Sequence, residues 1–260
     1  MRESLRPALW VVWTSLRTEQ RHMRGSPLVV IGGAIQPVVF LLITARTAEP
    51  TPDRVTWLVS AVVLTSLWSS TVWLAGGVLR RERTFGTLAR CVTSVHSARL
   101  VLFGKTLGAT VFCMAAILAS VTVTVLALGE PVRLLNPPLL VLALLVTAAS
   151  GTALGMLVAC LFLLTRHGLV WSSALVYPVF ILGGLLIPRS ALPAALRWVP
   201  DLISLQWIHE FFAAAAAGQV LARPLAIACG LTVCYYLIAL TSLDRAIDTA
   251  RRKGSLDLAW

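Results

Sequence analysis

Long apolar runs alternate with short basic or polar segments along the whole chain. Six runs are apolar enough to span a membrane as helices, because about 20 helical residues cross the hydrocarbon core of a bilayer. The pattern predicts these spans at Pro27–Thr44, Trp57–Leu79, Thr106–Leu128, Leu139–Leu164, Leu169–Ile187 and Leu225–Leu243. No internal repeat or low-complexity linker divides them. We therefore expect one all-α integral membrane domain over residues 1–260.

An amphipathic helix is predicted before the first run, within residues 1–26. Its apolar side carries residues at helical spacing: Leu5, Leu9, Val12, Trp13 and Leu16. Arginines cluster on another side, and a basic helix of this kind should lie in the membrane interface. The alternative is an ordinary juxtamembrane helix with no mechanical role.

The composition supports a membrane protein. Hydrophobic residues make up 58% of the chain and charged residues 13%, whereas a soluble domain has about a quarter charged residues. The net charge of +11 would suggest a nucleic-acid partner in a soluble protein, but here the basic residues lie between apolar runs. We therefore expect no nucleic acid. Twenty arginines against two lysines are typical of a high-GC bacterial genome.

The charge of the connecting segments predicts the orientation. Segments 1–26, 80–105, 165–168 and 244–260 hold 16 of the 22 Lys and Arg residues, and the alternate segments hold the other six. Basic residues are retained on the cytoplasmic side of a membrane. The sequence therefore predicts a multi-pass plasma-membrane protein with both termini in the cytoplasm.

The segment 188–224 is interrupted by prolines, at Pro188, Pro193 and Pro200. Proline is tolerated in the first turn of a helix, so two short helices are predicted to begin near Pro193 and Pro200. These helices are too interrupted to span. We expect them to dip into the outer leaflet and return, and a plain extracellular loop is the alternative.

Polar chemistry is sparse within the spans. They contain no Asp, Glu, Lys, Arg or His, which disfavours an ion-coupled carrier or proton pump. Gln36 and the hydroxyls between Thr65 and Thr71 are the strongest polar features, and helix packing is a better explanation for them than substrate contact. The five cysteines form no C-x-x-C pair, and the four histidines lie in different loops. Neither a metal site nor a catalytic site is indicated.

One fragment, Gly104-Lys105-Thr106, resembles the end of a phosphate-binding loop. The complete motif needs a glycine at the position of Arg99, and a membrane span follows at once. The chain is therefore not expected to bind ATP. Lys105 is predicted to be an interfacial anchor at the start of the third span.

The first sizeable loop on the basic side begins Arg80-Arg81-Glu82-Arg83-Thr84-Phe85-Gly86-Thr87-Leu88. It continues the second span until a glycine breaks the helix, which predicts a compact protruding elbow. Charge alone leaves two interpretations open. The elbow docks in a groove on a soluble partner, or its arginines mark the cytoplasmic side and bind anionic lipid.

This loop resembles the hallmark of permease subunits of type-2 ATP-binding-cassette (ABC) transporters, E-[RK]-x-x-G-T-L after the second span. The matching residues are Glu82, Arg83, Gly86, Thr87 and Leu88. The resemblance extends over nearly the whole chain and includes the proline-punctuated segment after span five. Its matching residues there are Gly184, Pro188, Leu192, Pro193 and Pro200.

The resemblance implies a partner that holds the ATP and Mg²⁺. A permease subunit of this family pairs with a second permease, identical or not, above two cytoplasmic ATPase subunits. Residues 80–105 would form the coupling loop and residues 188–224 the outer gate. The chain itself would be no enzyme and would need no cofactor. The resemblance implies that spans two and five line the interface between the two permeases, so the candidate pathway residues are Trp68, Trp73, Trp171, Tyr177 and Phe180; lipid-facing or core packing is the alternative for each.

The resemblance favours an exporter of an amphipathic compound, a drug or natural product, and thereby antibiotic resistance. Export of a polysaccharide or lipid-linked glycan is the nearest alternative. Outside the family, a secondary transporter without an ATPase and a membrane-embedded enzyme or assembly factor remain open. A gene for an ABC ATPase beside this one would favour the first interpretation.

Overall fold

The computed structural model of the chain describes residues 2–45, 51–87, 97–129, 135–164, 168–185 and 192–253. Every regular element within these ranges is helical, as the sequence predicts. The α-helices in chain order are α1 (Arg2–Met23), α2 (Pro27–Val29), α3 (Gln36–Ala45), α4 (Pro52–Ser70), α5 (Val78–Thr84), α6 (Ala98–Leu128), α7 (Pro137–Leu164), α8 (Gly168–Leu182), α9 (Ser204–Ala216) and α10 (Ala222–Lys253). Two π-helical stretches, Val30–Ile35 and Thr71–Ala75, continue α2 into α3 and α4 towards α5.

Among the described residues, five helical stretches are long and apolar enough to cross a membrane. Their bounds are Pro27–Thr44, Arg54–Thr84, Ala98–Leu128, Pro137–Phe162 and Ala222–Arg245. Each overlaps a span that the apolar pattern predicts, and the first has the predicted bounds. The second, which contains α4 and α5, is the most buried of the five and lies at the centre of the bundle. The other four leave more of their surface exposed, as helices that face lipid do.

The predicted fifth span, Leu169–Ile187, corresponds to α8, which has 15 residues in the described part of the chain. A helix of that length rises about 22 Å, whereas the hydrocarbon core of a bilayer is about 30 Å thick. Residues 186–191, where this predicted span ends, lie outside the described residues. The structure thus supports five spans, and the count of six stays a prediction.

Small residues bring the helices around the two π-helical stretches close together. A Cβ added at Gly32 would lie 3.0 Å from Ser70 Oγ, and one at Gly76 would lie 2.5 Å from Val158 Cγ1. Single turns of π-helix are frequent at functional sites because they redirect side chains within an otherwise regular helix. Here they place polar residues of the first and second spans opposite each other.

Helix α1 lies against the beginning of α6, and two glycines make this contact possible. Gly104 and Gly108 are four residues apart, so they share one face of α6. A Cβ at Gly104 would lie 2.6 Å from Val12 O, and one at Gly108 would lie 2.7 Å from Leu16 O. Gly104 therefore serves helix packing. Helix α6 also begins about two turns before the predicted start at Thr106, because α1 packs on those turns.

The apolar side that the sequence predicts for α1 faces away from the bundle at several positions. Leu9, Trp10 and Trp13 are all more than half exposed, and the Arg17 guanidinium lies 4.5 Å from the Trp13 ring centroid. Exposed tryptophans beside an arginine suit a helix in the membrane interface. The interfacial position itself stays a prediction.

The segment before α10 forms two 3₁₀ turns and then α9. Pro193 immediately precedes the first turn, Ala194–Leu196, and Pro200 opens the second, Pro200–Leu202. Helix α9 packs against α4, α7 and α10. The Ser204 and Ser150 hydroxyl oxygens lie 2.7 Å apart, joining α9 to α7. Most of α9 thus belongs to the helical core.

Candidate functional site

The loop after α5 begins with a helix-ending turn that requires a glycine. The backbone N–H of Thr87 donates to Glu82 O at 2.9 Å, and that of Gly86 donates to Arg83 O at 3.1 Å. These two bonds with a left-handed residue between them form a Schellman motif, and Gly86 supplies that residue with φ +66°. The predicted break of the helix by a glycine therefore has a defined geometry.

The carboxylate of Glu82 is held from two sides. Lys105 Nζ of α6 forms an ion pair with Oε1, and the hydroxyl of Thr87 donates to Oε2 at 2.6 Å. The side chains of Lys105 and Glu82 are 13% and 14% exposed, so solvent screens this pair less than a surface pair. Glu82 thus closes the turn through Thr87 and joins it to α6 through Lys105.

A second ion pair fastens the same helix to α1. Arg81 pairs with Glu19, which is 4% exposed, and Arg81 Nη1 also donates to Leu74 O at 2.9 Å. The ring of His22, one turn further along α1, lies edge-on to the ring of Phe85 at 6.0 Å between centroids. Helix α1 therefore supports the turn from one side while α6 supports it from the other.

The tip of the turn is exposed. Phe85 is 63% exposed although it is a large apolar residue, and Thr84 and Gly86 beside it are exposed as well. Arg83 and Thr87 are half-buried. Leu88, the last residue of the hallmark, lies outside the described residues. A rigid element with an exposed aromatic ring at its end is suited to insertion into a groove on another protein.

Sequence reasoning did not find Glu19, and it gave Lys105 a different role. Lys105 is predicted as an anchor at the membrane interface, yet its ammonium group is mostly buried against Glu82. Glu19 is the only acidic residue of residues 4–26, a segment that holds four arginines. A single acidic residue among arginines was the signal in the sequence that Glu19 has a partner. That partner, Arg81, lies 62 positions away.

The candidate pathway residues fall into two groups. Trp68 is buried in the main core cluster, and Trp73 and Phe180 pack against that cluster. Trp171 and Tyr177 are 48% and 64% exposed on α8, and Tyr177 contacts Phe180 edge-on. The structure does not bring all five into one cavity.

A cavity of about 240 Å³ lies between the first and second spans. Its walls include Gln36, Ser69, Ser70 and Trp73. Ser70 is buried, and its side chain lies beside the Cys113 thiol. Thr65, by contrast, donates to Ala61 O at 2.6 Å, as expected for a hydroxyl that serves its own helix. The predicted polar stretch is thus partly structural and partly cavity-lining.

Of the candidate gate residues, the structure describes Pro193 and Pro200, and both precede α9 at the turns given above. Pro200 is buried, whereas Pro193 is exposed. Pro188 lies outside the described residues. These positions do not by themselves test a gating role.

Apolar helices of spanning length, joined by a braced basic turn, define a polytopic α-helical membrane protein. Comparison with known proteins specifies the class further. Residues 11–217 match the family described as ABC-2 type transporter, a range that includes the Glu82 turn and α9. The chain belongs to the ABC-2 type transporter family and is a permease subunit of that kind.

A curated relative carries a more specific name. The chain is 28% identical over 180 residues to heme exporter protein B from Pseudomonas aeruginosa, an alignment that covers 66% of this chain and 78% of that protein. Family membership confirms the resemblance that the Glu82–Thr87 residues and the order of the elements indicate.

Proposed function

We propose that this chain is the permease subunit of an ABC exporter that moves an amphipathic compound outward across the bacterial plasma membrane. The energy comes from ATP hydrolysis in separate cytoplasmic ATPase subunits, two copies of which bind the ATP and Mg²⁺. The observation that carries the proposal is the braced turn around Glu82 and Gly86, with its exposed Phe85.

The contacts of this turn suit the transmission of movement. Two backbone hydrogen bonds and the Glu82–Thr87 side-chain hydrogen bond hold the Schellman turn together. The turn should therefore keep its shape when an ATPase pushes on Phe85. The push passes to α6 through Lys105 and to α1 through Glu19. It also passes directly into the long stretch Arg54–Thr84 at the centre of the bundle. A movement of that stretch would change its packing against α6, α7 and α9.

The cargo is proposed from two observations. The spans of this chain are aromatic and carry no ionisable residue within their predicted bounds, which suits a compound with a large apolar part. The name of the relative, heme exporter protein B, favours haem as a second candidate cargo of the same amphipathic kind. Export of a glycan remains the alternative within the family.

Copurification tests the proposed docking site. A double variant with Glu82→Gln and Gly86→Ala should lose association with the partner ABC ATPase. The first change removes the charge that holds Lys105, and the second forces an alanine into a left-handed conformation at a cost of about 1 kcal/mol. The measurement is the amount of ATPase retained by the tagged permease in detergent.

Gly25→Ala is the matched control for the glycine change. An added Cβ meets nothing within 4 Å at either glycine, but Gly25 has no left-handed φ. We expect this variant to retain the ATPase fully. If the double variant also retained it, with ATP-dependent transport intact, the role of the turn would be wrong.

A further inference from the structure

A second cavity lies at the end of the bundle opposite the Glu82 turn. Its volume is about 490 Å³, within the usual range of ligand pockets, and it is lined by residues of α4 and α9, by Gly184 after α8 and by Leu221 directly before α10. Trp57 and Glu82 stand near the two ends of the same helical stretch, Arg54–Thr84. The lining residues that matter here are Trp57, Gln206, His209, Glu210, Ala213 and Leu221. We call it the His209 cavity.

The contacts of His209 assign the proton to one ring nitrogen. The Ser60 hydroxyl donates its single hydrogen to Trp57 O at 2.8 Å, so its oxygen can only accept from His209 Nδ1, which lies 3.0 Å away. His209 Nδ1 is therefore protonated and Nε2 has a free lone pair. Burial lowers the pKa of His209 to about 4, so the ring is neutral near pH 7.

His209 Nε2 is a buried acceptor without a partner. The residue is 2% exposed, and no group in the described part of the chain hydrogen-bonds to this atom. The Trp57 ring packs against the imidazole at 4.9 Å between centroids, which holds its orientation. A buried polar atom without a partner is costly, and in native structures such an atom commonly meets an ordered water, an ion or a ligand.

Gln206 presents a second acceptor of the same kind. Its Nε2 donates to Glu210 Oε1 at 3.2 Å, and because a carboxylate only accepts, the amide oxygen must be the other atom. That oxygen is buried and has no partner among the described residues. A Cβ at Gly184 would overlap it, so the glycine, with φ +72°, leaves room for the amide.

The unpartnered polar atoms of the cavity wall are therefore of one kind. Both unpartnered atoms are acceptors, and Glu210 is the one charged side chain among the described lining residues. A protonated amine has several donors, a positive charge and no acceptor, so it complements all three groups. Trp57, Ala213 and Leu221 offer apolar surface beside them.

We propose that the His209 cavity binds the protonated amine of an amphipathic organic cation. The inference rests on the proposed export function, for which it names the chemical class of one cargo. A free metal ion suits the cavity less well. No group of three or more His, Cys, Asp or Glu side chains able to hold one exists among the residues that the structure describes.

Equilibrium dialysis on the purified full chain in lipid nanodiscs tests this proposal. The probe is 2-(1-naphthyl)ethylamine, and its neutral N-acetyl derivative is the comparison. We expect the amine to bind at least about tenfold more tightly, because the charge-assisted hydrogen bonds to Glu210 and the two acceptors need the ammonium group. Equal affinity for the two compounds, or no binding of either, would overturn the proposal.

Variants locate the binding. Glu210→Gln should weaken amine binding about tenfold and leave the N-acetyl derivative unchanged. Glu210 is exposed, so this change should not disturb folding. Asp201→Asn is the control, because it removes the same charge from the preceding turn, outside the lining residues. An unchanged affinity in Glu210→Gln would refute the assignment.

The variant His209→Phe helps to distinguish binding of the amine from binding of haem. This variant keeps a ring of similar size and removes Nε2, so it should weaken amine binding as well. A titration with iron protoporphyrin whose Soret shift depends on His209 but not on Glu210 would instead favour haem and overturn the amine assignment. These assays contain neither ATP nor the ATPase. Loss of ATPase copurification with intact amine binding would therefore defeat the proposed function alone.

Discussion

Glu82 and Lys105 join the loop hallmark to α6 through a pair that is mostly buried. Removing one partner leaves the other charge in a poorly hydrated place, whereas removing both leaves no charge there. We therefore predict that Glu82→Gln and Lys105→Met each lower the unfolding temperature. The double variant should lose less than the sum, with a coupling of about 1–2 kcal/mol. Thermal unfolding of the four proteins in detergent provides the double-mutant cycle.

The Arg99–Asp244 pair is the matched control. It also joins two helices, but its side chains are 52% and 41% exposed. Solvent and salt screen such pairs, so the same cycle with Arg99→Gln and Asp244→Asn should show no measurable coupling. Equal coupling in the two pairs would contradict a special role for the Glu82–Lys105 contact.

The contact between α1 and α6 depends on the close approach of the two helix backbones at Gly104 and Gly108. We predict that Gly104→Ala destabilises the protein by about 1–3 kcal/mol, because the added Cβ meets the carbonyl of Val12, and a backbone atom cannot move aside alone. The unfolding temperature measures the effect. Gly230→Ala in α10 is the control: its Cβ meets nothing within 4 Å, so the helix propensity of alanine should leave stability equal or higher. Equal unfolding temperatures for the two variants would refute the close packing.

The helical elements were largely predictable because apolar runs report burial or lipid contact directly. The bounds of the first span and the glycine break after α5 follow from local sequence alone. The start of α6 did not, since Arg99 and Lys105 place charges in its first turns, and their partners lie far away in the chain.

The sites were less predictable because their contacts join residues that lie far apart in the chain. The hallmark residues could be found in one stretch, but Glu19 meets Arg81 across 62 positions and Ser60 meets His209 across 149. No local pattern marks such pairs. Histidine spacing could not show that His209 has a buried nitrogen without a partner among the described residues.

At the scale of the molecule, one helical stretch connects the two regions of interest. Arg54–Thr84 ends in the braced turn and begins beside the His209 cavity, so a displacement at Glu82 can reach Ser60 through a continuous buried helix. Its π-helical stretch, Thr71–Ala75, lies between them. The proposed cargo site and the proposed ATPase-docking site therefore lie at opposite ends of one helical stretch.

Transport in inside-out vesicles, which contain the permease with its ATPase, tests that account most directly. An amphipathic compound such as the naphthyl amine or haem should accumulate in the vesicles only when ATP is present. Accumulation should fall to background when the permease carries Glu82→Gln with Gly86→Ala, and remain normal with Gly25→Ala. Accumulation that proceeds without ATP, or that the Glu82 and Gly86 changes leave intact, would contradict the claim that a separate motor drives this chain through the braced turn.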